Sequence, residues 1–433
     1  MTIFSSFFLF LTSACLLLLQ GCSNSKAPLV GARTEILQSA VTLDKDTDAD
    51  NVQVEIEDPT LNMDWPQADY SPTHRIPHLE AGDLKNIVWK TSIGQGNTRT
   101  GFLLSTPLIE NDVIYTIDTA ARLRAKNIQT GKDIWQRQIE TQSRQEGHSG
   151  GGIALGDGKI FATLSSADVI ALDNVNGEVI WHITLPYAIR TAPTFYKGYI
   201  YLITKNNRLI CLDASTGTKI WQQEGSEHSC SLIGGGKPAV QFDTVIAPYS
   251  SGELYAVRRE NGFPLWAESL SALKVFSSTS MVSHIKASPV IDGNLIIALS
   301  QSGRMAAADY RTGNIVWERE IRGTSTPIVS GNFIFAVTSD HQVVCLVRES
   351  GHIIWVTQLP GYQEKKSISY AGPVLAGRKL ILTSSDGKAI FLNPENGENM
   401  DQLTLPGPCY LPPIVANKVA YFLTESGTLV AVE

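Results

Sequence analysis

Only six of the 433 residues are cysteine, and no two of them are adjacent or arranged as CxxC. The chain therefore carries neither a disulfide framework nor a zinc pattern. The eight histidines are scattered, and none stands with an Asp and a Ser at a spacing that marks a nucleophilic triad. Charged residues are sparse, at 18%, and no basic stripe runs through the sequence. That argues against a nucleic-acid partner, because displacing phosphate counterions takes clustered Lys and Arg. Long apolar runs are missing too, with one exception at the start: Ile3 to Leu19 is seventeen residues long, at the short limit for crossing a bilayer.

That run reads as an export signal ending in Leu19-Gln-Gly-Cys22, which resembles the lipobox of bacterial lipoproteins. The resemblance implies lipidation of Cys22 as the first mature residue, and Ser23 in the next position implies transport to the outer membrane. No Lys or Arg precedes the run, and Gln20 is bulky for its place; an uncleaved membrane anchor is the alternative. Beyond it, residues 23–60 hold eight acids against Lys26, Arg33 and Lys45, and so supply −5 of the net charge of −7. Low hydrophobicity and clustered acids predict a flexible tether over residues 23–62. Cys211 and Cys345 fall in a slot that holds Ala171 and Ala256 in other repeats, which predicts small buried side chains. Cys230 and Cys409 fall in connections of distant repeats.

What the sequence does have is a repeat. Trp stands at 89, 135, 181, 221, 266, 317 and 355, and from the second onward a Gly lies four residues earlier. Gly397 keeps the pattern with Asp401 in the Trp slot. A Pro opens an apolar strand 28 residues before the slot at Pro107, Pro193, Pro238, Pro289, Pro327 and Pro373. Ala154 takes its place one residue closer in the second unit, and Pro413 opens an eighth. A period of this length marks a propeller or solenoid. Each unit reads as four short strands joined by Gly-containing turns, and the second strand is an apolar run that needs burial on both faces. The recurring Trp suits a ring wedged between neighbouring units.

The predicted fold is all-β: an eight-bladed β-propeller with four antiparallel strands per blade, spanning residues 63–433. The eighth unit stops after its third strand, at Thr428 to Glu433, whereas Leu84 to Trp89 is a fourth strand without a blade. Pairing the two closes the ring and leaves no free edge at the seam.

Repeats of this form resemble the pyrroloquinoline-quinone (PQQ) family, whose alcohol dehydrogenases hold the quinone and Ca²⁺ on the propeller axis. Those enzymes carry a vicinal Cys pair, a Trp floor and acidic Ca²⁺ ligands. This chain has no adjacent cysteines, and its propeller Trp residues all fall in the repeat register or its seam equivalent. No cofactor, metal or catalytic residue is expected, and a quinoprotein dehydrogenase is kept as the alternative reading. Gly147-His-Ser-Gly-Gly-Gly152 and Gly234-Gly-Gly236 precede strands, not helix N-termini, and read as turns rather than phosphate cradles.

The lipobox, the acidic segment, Trp65-Pro66, the eight repeats, the seam and Gly150-Gly-Gly-Ile-Ala-Leu together resemble the BamB family. The resemblance implies a non-catalytic lipoprotein scaffold of the outer-membrane β-barrel assembly machinery, anchored at the periplasmic face of the outer membrane. Its partner would be the barrel-assembly protein BamA, through its POTRA domains, and its clients unfolded outer-membrane proteins. The family's Leu-Arg docking pair is matched by Ile189-Arg190 ahead of Thr191-Ala192-Pro193, whereas its Asp-x-Asp is replaced by His284-Ile285-Lys286. Independently, the connection from Trp266 to Pro289 is the longest, and it adds Phe276 and Met281, which the strands do not need. Loops on rigid scaffolds are where binding concentrates. The expected partner-binding positions are thus Ile189, Arg190, Phe276, Met281, His284 and Lys286.

Overall fold

The glycine of each of the six Gly-xxx-Trp units, and Gly397 ahead of Asp401, closes the turn between a blade's third and fourth strands, with φ between +67° and +78° in all seven. A side chain there would be strained. In the computed structural model, which describes residues 43–49, 52–141, 150–227, 231–271, 282–363 and 366–433, this turn recurs in seven of eight four-stranded antiparallel sheets. Blade one comprises Leu108–Glu110, Val113–Ile117, Arg122–Asn127 and Asp133–Gln138. Blades two to seven repeat this order. Blade eight takes Ile414–Ala416, Val419–Leu423 and Thr428–Val432 from the C-terminus and Ile87–Ser92 from the N-terminal side, as the sequence predicts. The second strands are buried almost throughout, while the fourth strands face outward.

Each Trp links its blade to the next. Its indole Nε1 donates to a backbone carbonyl one blade on, from Trp89 to Ile128 through Trp355 to Pro394, at 2.8–3.3 Å. Its ring lies flat on that blade's turn glycine, where an added Cβ would come within 2.5–2.9 Å of the indole. Glycine and tryptophan are therefore two halves of one junction, spaced four residues apart in sequence but acting across different interfaces. Opposite each Trp on the third strand stands a small residue: Ala125, Ala171, Cys211, Ala256, Ala307, Cys345 or Ala431. The two cysteines are thus buried, unpaired space-fillers, and burial pushes the Cys211 thiol up to about 12.

The junction from blade seven to blade eight differs. Blade eight has no turn between its last two strands, because Thr428–Val432 and Ile87–Ser92 are not consecutive in the chain, so there is no glycine to receive a ring. Blade seven accordingly has Asp401 in the Trp slot, exposed, and its cross-strand partner is the buried Phe391 instead of a small residue. Directly opposed residues share one face of a sheet, so the volume lost at one position is regained at the other.

Residues 57–82, which span the expected boundary at residue 62 between tether and propeller, ring the axis. Their backbone meets the first strands in turn: Trp65 at Ile109, Pro66 at Leu155, Pro72 at Val240, Thr73 at Ile291, Leu79 at Leu375 and Gly82 at Lys418. Gln67 fastens to Phe195 through its side-chain amide, and Glu57 reaches Ser330, so all eight blades are touched. Trp65 is fully buried. This segment plugs the axial channel on the side of the turns joining first and second strands.

Part of the segment predicted as a tether also lies on the propeller. Asp46 pairs with Arg319 at 2.8 Å, and its backbone N–H bonds Ile353 on the outer strand of blade six. Val54 is buried. Residues 23–42, 50 and 51 lie outside the described residues.

Candidate functional site

With one mouth plugged, the channel becomes a cavity of about 900 Å³, floored by Trp65, Ala68, Asp69 and Ile76 and walled by residues at the start of, or just before, each blade's first strand. That wall belongs to the face where the long connections run. Much of it is apolar, with Phe102, Leu103, Leu104, Ile233, Tyr370 and Tyr410 among the lining.

One side of the wall is cationic. Lys237 pairs with Asp69 on the floor at 3.0 Å, and Ser288 donates to the same carboxylate at 2.7 Å. Burial alone would raise the Asp69 pKa, but Lys237, His74 and Ser288 together hold it below the ordinary value. Arg190 lies beside this pair and is only 4% exposed. Its guanidinium donates to the Lys205 carbonyl and stands 3.3 Å from His284 Nε2. The Leu232 N–H donates to His284 Nδ1 at 3.0 Å, so a neutral ring carries its proton on Nε2, toward the arginine. Neither neighbour offers Arg190 a negative charge. Burial lowers its pKa to about 10. Lys286 also lines the cavity, and its pKa is lowered by burial first and by Lys237 second.

The expected binding positions are therefore brought together in part. Arg190 and His284, 94 residues apart, meet at the cavity wall, with Lys286 on the same lining. The Ile189-Arg190 pair, however, is not on an exposed rim. Ile189 is wholly buried between blades two and three, because its short connection bridges Thr204 and so runs inward along the axis. Phe276, Met281, Cys22 and Cys230 lie outside the described residues.

The glycine turns acquire a use that the sequence did not reveal. A Cβ on Gly235 would lie 2.6 Å from Arg190 Cδ, and one on Gly234 would lie 3.9 Å from Lys286 Cε. Gly235 thus makes room for the stem of Arg190 from another blade, while Gly234 sits in ordinary contact with Lys286. The only signal in the sequence was the glycine run itself.

No hydrolytic site emerges at the best candidate cluster. Ser166 and His182 both bind Asp168, at 2.6 and 2.9 Å, so the carboxylate sits between them and the serine is not on the imidazole. A triad needs the imidazole in the middle. Among the described residues no group of three or more His, Cys, Asp or Glu could hold a metal ion.

Comparison with known proteins agrees with the fold and narrows the family. The family profile described as "Outer membrane protein assembly factor BamB" matches residues 140–357. Proteins of that description from Yersinia pestis and Escherichia coli K12 are 28% and 25% identical over 253 and 252 residues, which is 57% of this chain in each case. The matched stretch covers 64% of each relative, just under two thirds of its length. Among solved structures, BamB from Moraxella catarrhalis superposes with a TM-score of 0.69 at 19% identity, over 80% of this chain and 99% of that one. A europium-containing methanol dehydrogenase superposes at 0.66 with 14% identity, over 83% and 89%, which shows a common fold. With half of the chain under the family profile, this chain is a member of the BamB family.

Proposed function

We propose that this chain is a non-catalytic, lipid-anchored scaffold of the outer-membrane β-barrel assembly machinery, anchored through Cys22 at the periplasmic face and docking on the POTRA domains of BamA. Family membership supports the machinery. The observation that carries the docking surface is the convergence of Arg190, His284 and Lys286 at the connection-side mouth of blades three to five. Arg190 and Ile189 support this rim from beneath, and Ile233, 49% exposed beside them, presents apolar surface to a partner. Exposed apolar residues rimmed by charge suit a protein interface.

The test is the affinity of the purified mature protein for the POTRA domains of the BamA from the same organism. Ile233→Asp should weaken binding at least tenfold, while Phe242→Asp, on the opposite face and also exposed, should leave it unchanged. Failure of the unsubstituted protein to bind, or equal loss in both variants, overturns the docking reading. The anchor is tested separately: Cys22→Ala should abolish acyl labelling and release the protein from the outer-membrane fraction.

A further inference from the structure

We infer that the axial cavity is a binding site for a carboxylate carried on an apolar body, with Arg190 and Lys286 as its anion-recognising groups. This goes beyond the docking reading, with which it shares Arg190 and Lys286, by assigning these two cations a ligand inside the cavity.

Three cations, Arg190, Lys237 and Lys286, line the cavity against two acids, Asp69 and Glu425, and of these only Asp69 pairs with a cation of the lining. Lys237 is neutralised by Asp69. Among the described residues Arg190 makes no ion pair with any carboxylate, although it is more than nine-tenths buried and its Nε has no hydrogen-bond partner. Lys286 has no ion pair and no hydrogen bond among them either. A buried charge without a counter-charge is costly, and proteins keep one where a ligand completes the pair. The local backbone is arranged to admit the arginine: Gly235 lies against the stem of Arg190, and a side chain there would crowd it, while Gly234 packs in ordinary contact with Leu104 and the stem of Lys286. A guanidinium can take a carboxylate through two parallel N–H donors, and the ammonium adds a point charge beside it.

The rest of the lining selects the body of the ligand. Leu104, Ile233, Tyr370 and Tyr410 are apolar or aromatic, and a volume of about 900 Å³ is at the upper end of small-molecule pockets. A small inorganic anion would leave this surface wet, whereas an arene or branched acid would cover it. A free organic acid and the C-terminal carboxylate of a peptide offer the same chemistry.

Calorimetric titration of the full mature protein with 2-naphthoate and 2-naphthamide, and with one aromatic-ended hexapeptide as free acid and as amide, tests the site. The expected result is one saturable site for at least one acid, with its amide at least tenfold weaker. Binding of the naphthoate assigns free acids; binding of the peptide acid alone assigns chain ends. Lys286→Met keeps the aliphatic stem and should weaken the acid about tenfold without changing the melting temperature, whereas Lys197→Met, outside the cavity, should do nothing. Arg190→Gln should remove binding, and its melt reports whether the fold survives. No saturable binding of either acid, equal binding of acid and amide, or indifference to Lys286→Met overturns the inference. POTRA binding by Lys286→Met, measured in parallel, separates this result from the docking reading.

Discussion

Seven of the eight blade junctions are made by a ring on a glycine, and one is not. At the seven, an indole lies on the next blade's turn and donates to its carbonyl. At the junction of blades seven and eight the receiving turn is missing because the two outer strands of blade eight are not consecutive in the chain, and Phe391 fills the space that Trp and its small partner fill elsewhere. The repeated residue pair is thus a consequence of having a turn to dock on. Where the ring is closed by two chain ends, packing must be solved another way.

The comparison breaks most sharply at the rings. Trp221, 8% exposed, should cost about 3–5 kcal/mol when truncated to Ala, as large aromatic core residues do. Phe391→Ala should cost as much, while Asp401→Ala, in the same repeat slot as Trp221, should stay within about 0.5 kcal/mol. Urea denaturation of the three variants checks this, and a large effect at Asp401 would mean that the slot matters irrespective of what docks there. Next comes the glycine half of the junction. Gly217→Ala puts a Cβ 2.8 Å from the Trp181 ring at φ +73°, which should cost about 1–3 kcal/mol. The same substitution at Gly198, equally left-handed at φ +77° but with nothing within 4 Å, isolates the backbone part of that loss.

This pattern explains what could be read beforehand. The eight blades and the closing strand were legible because the junction imposes the same residue types at a fixed spacing. The odd Asp401 was visible, but its reason was not, since Phe391 is recognisable as its complement only once the two strands are in register. The plug left no trace in the side-chain pattern because residues 65–82 hold the blades mainly through backbone bonds. The cationic wall was half legible. Arg190 and Lys286 stood out by position, but the burial of Arg190 depends on Gly235, 45 residues away and on another blade.

A smaller effect separates the axial plug from the blade junctions by pH. His78 accepts the Arg378 N–H of blade seven on Nε2 and contacts the Glu57 carbonyl through Nδ1, and His74 contacts Pro289 O. Burial lowers both pKa values below 6.5, outweighing the bonds that favour the charged form. A depressed pKa means that the unfolded chain takes up protons first. The stability is full above about pH 6.5 and falls as the pH drops toward the folded-state values. Hydrogen exchange should therefore show the amides of residues 74–82, and of Arg378, losing protection between pH 7 and 5 relative to the turn amides at Gly217 and Gly262, after correction for intrinsic rates. Equal loss at all these sites would remove the histidines from the explanation.

The smallest expected effect is a failure to gain. Asp401→Trp restores the repeat consensus in blade seven, and by analogy with the other junctions it ought to stabilise. It should instead change stability by no more than about 0.5 kcal/mol, the range of a surface substitution, because blade eight offers neither the turn glycine nor the carbonyl on which the indole would land. The double variant Asp401→Trp with Phe391→Ala sharpens the point, since it rebuilds in one blade the Trp and small-residue pair found at Trp221 and Cys211. If the pair alone made the junction, the new Trp would recover most of the loss caused by Phe391→Ala, a coupling of a few kcal/mol for residues in direct contact. If the junction needs the receiving turn, the double variant should be about as unstable as Phe391→Ala by itself. Denaturation midpoints of the four proteins in this cycle decide between the two, and near-complete recovery would show that a tryptophan can hold a blade without a glycine to lie on.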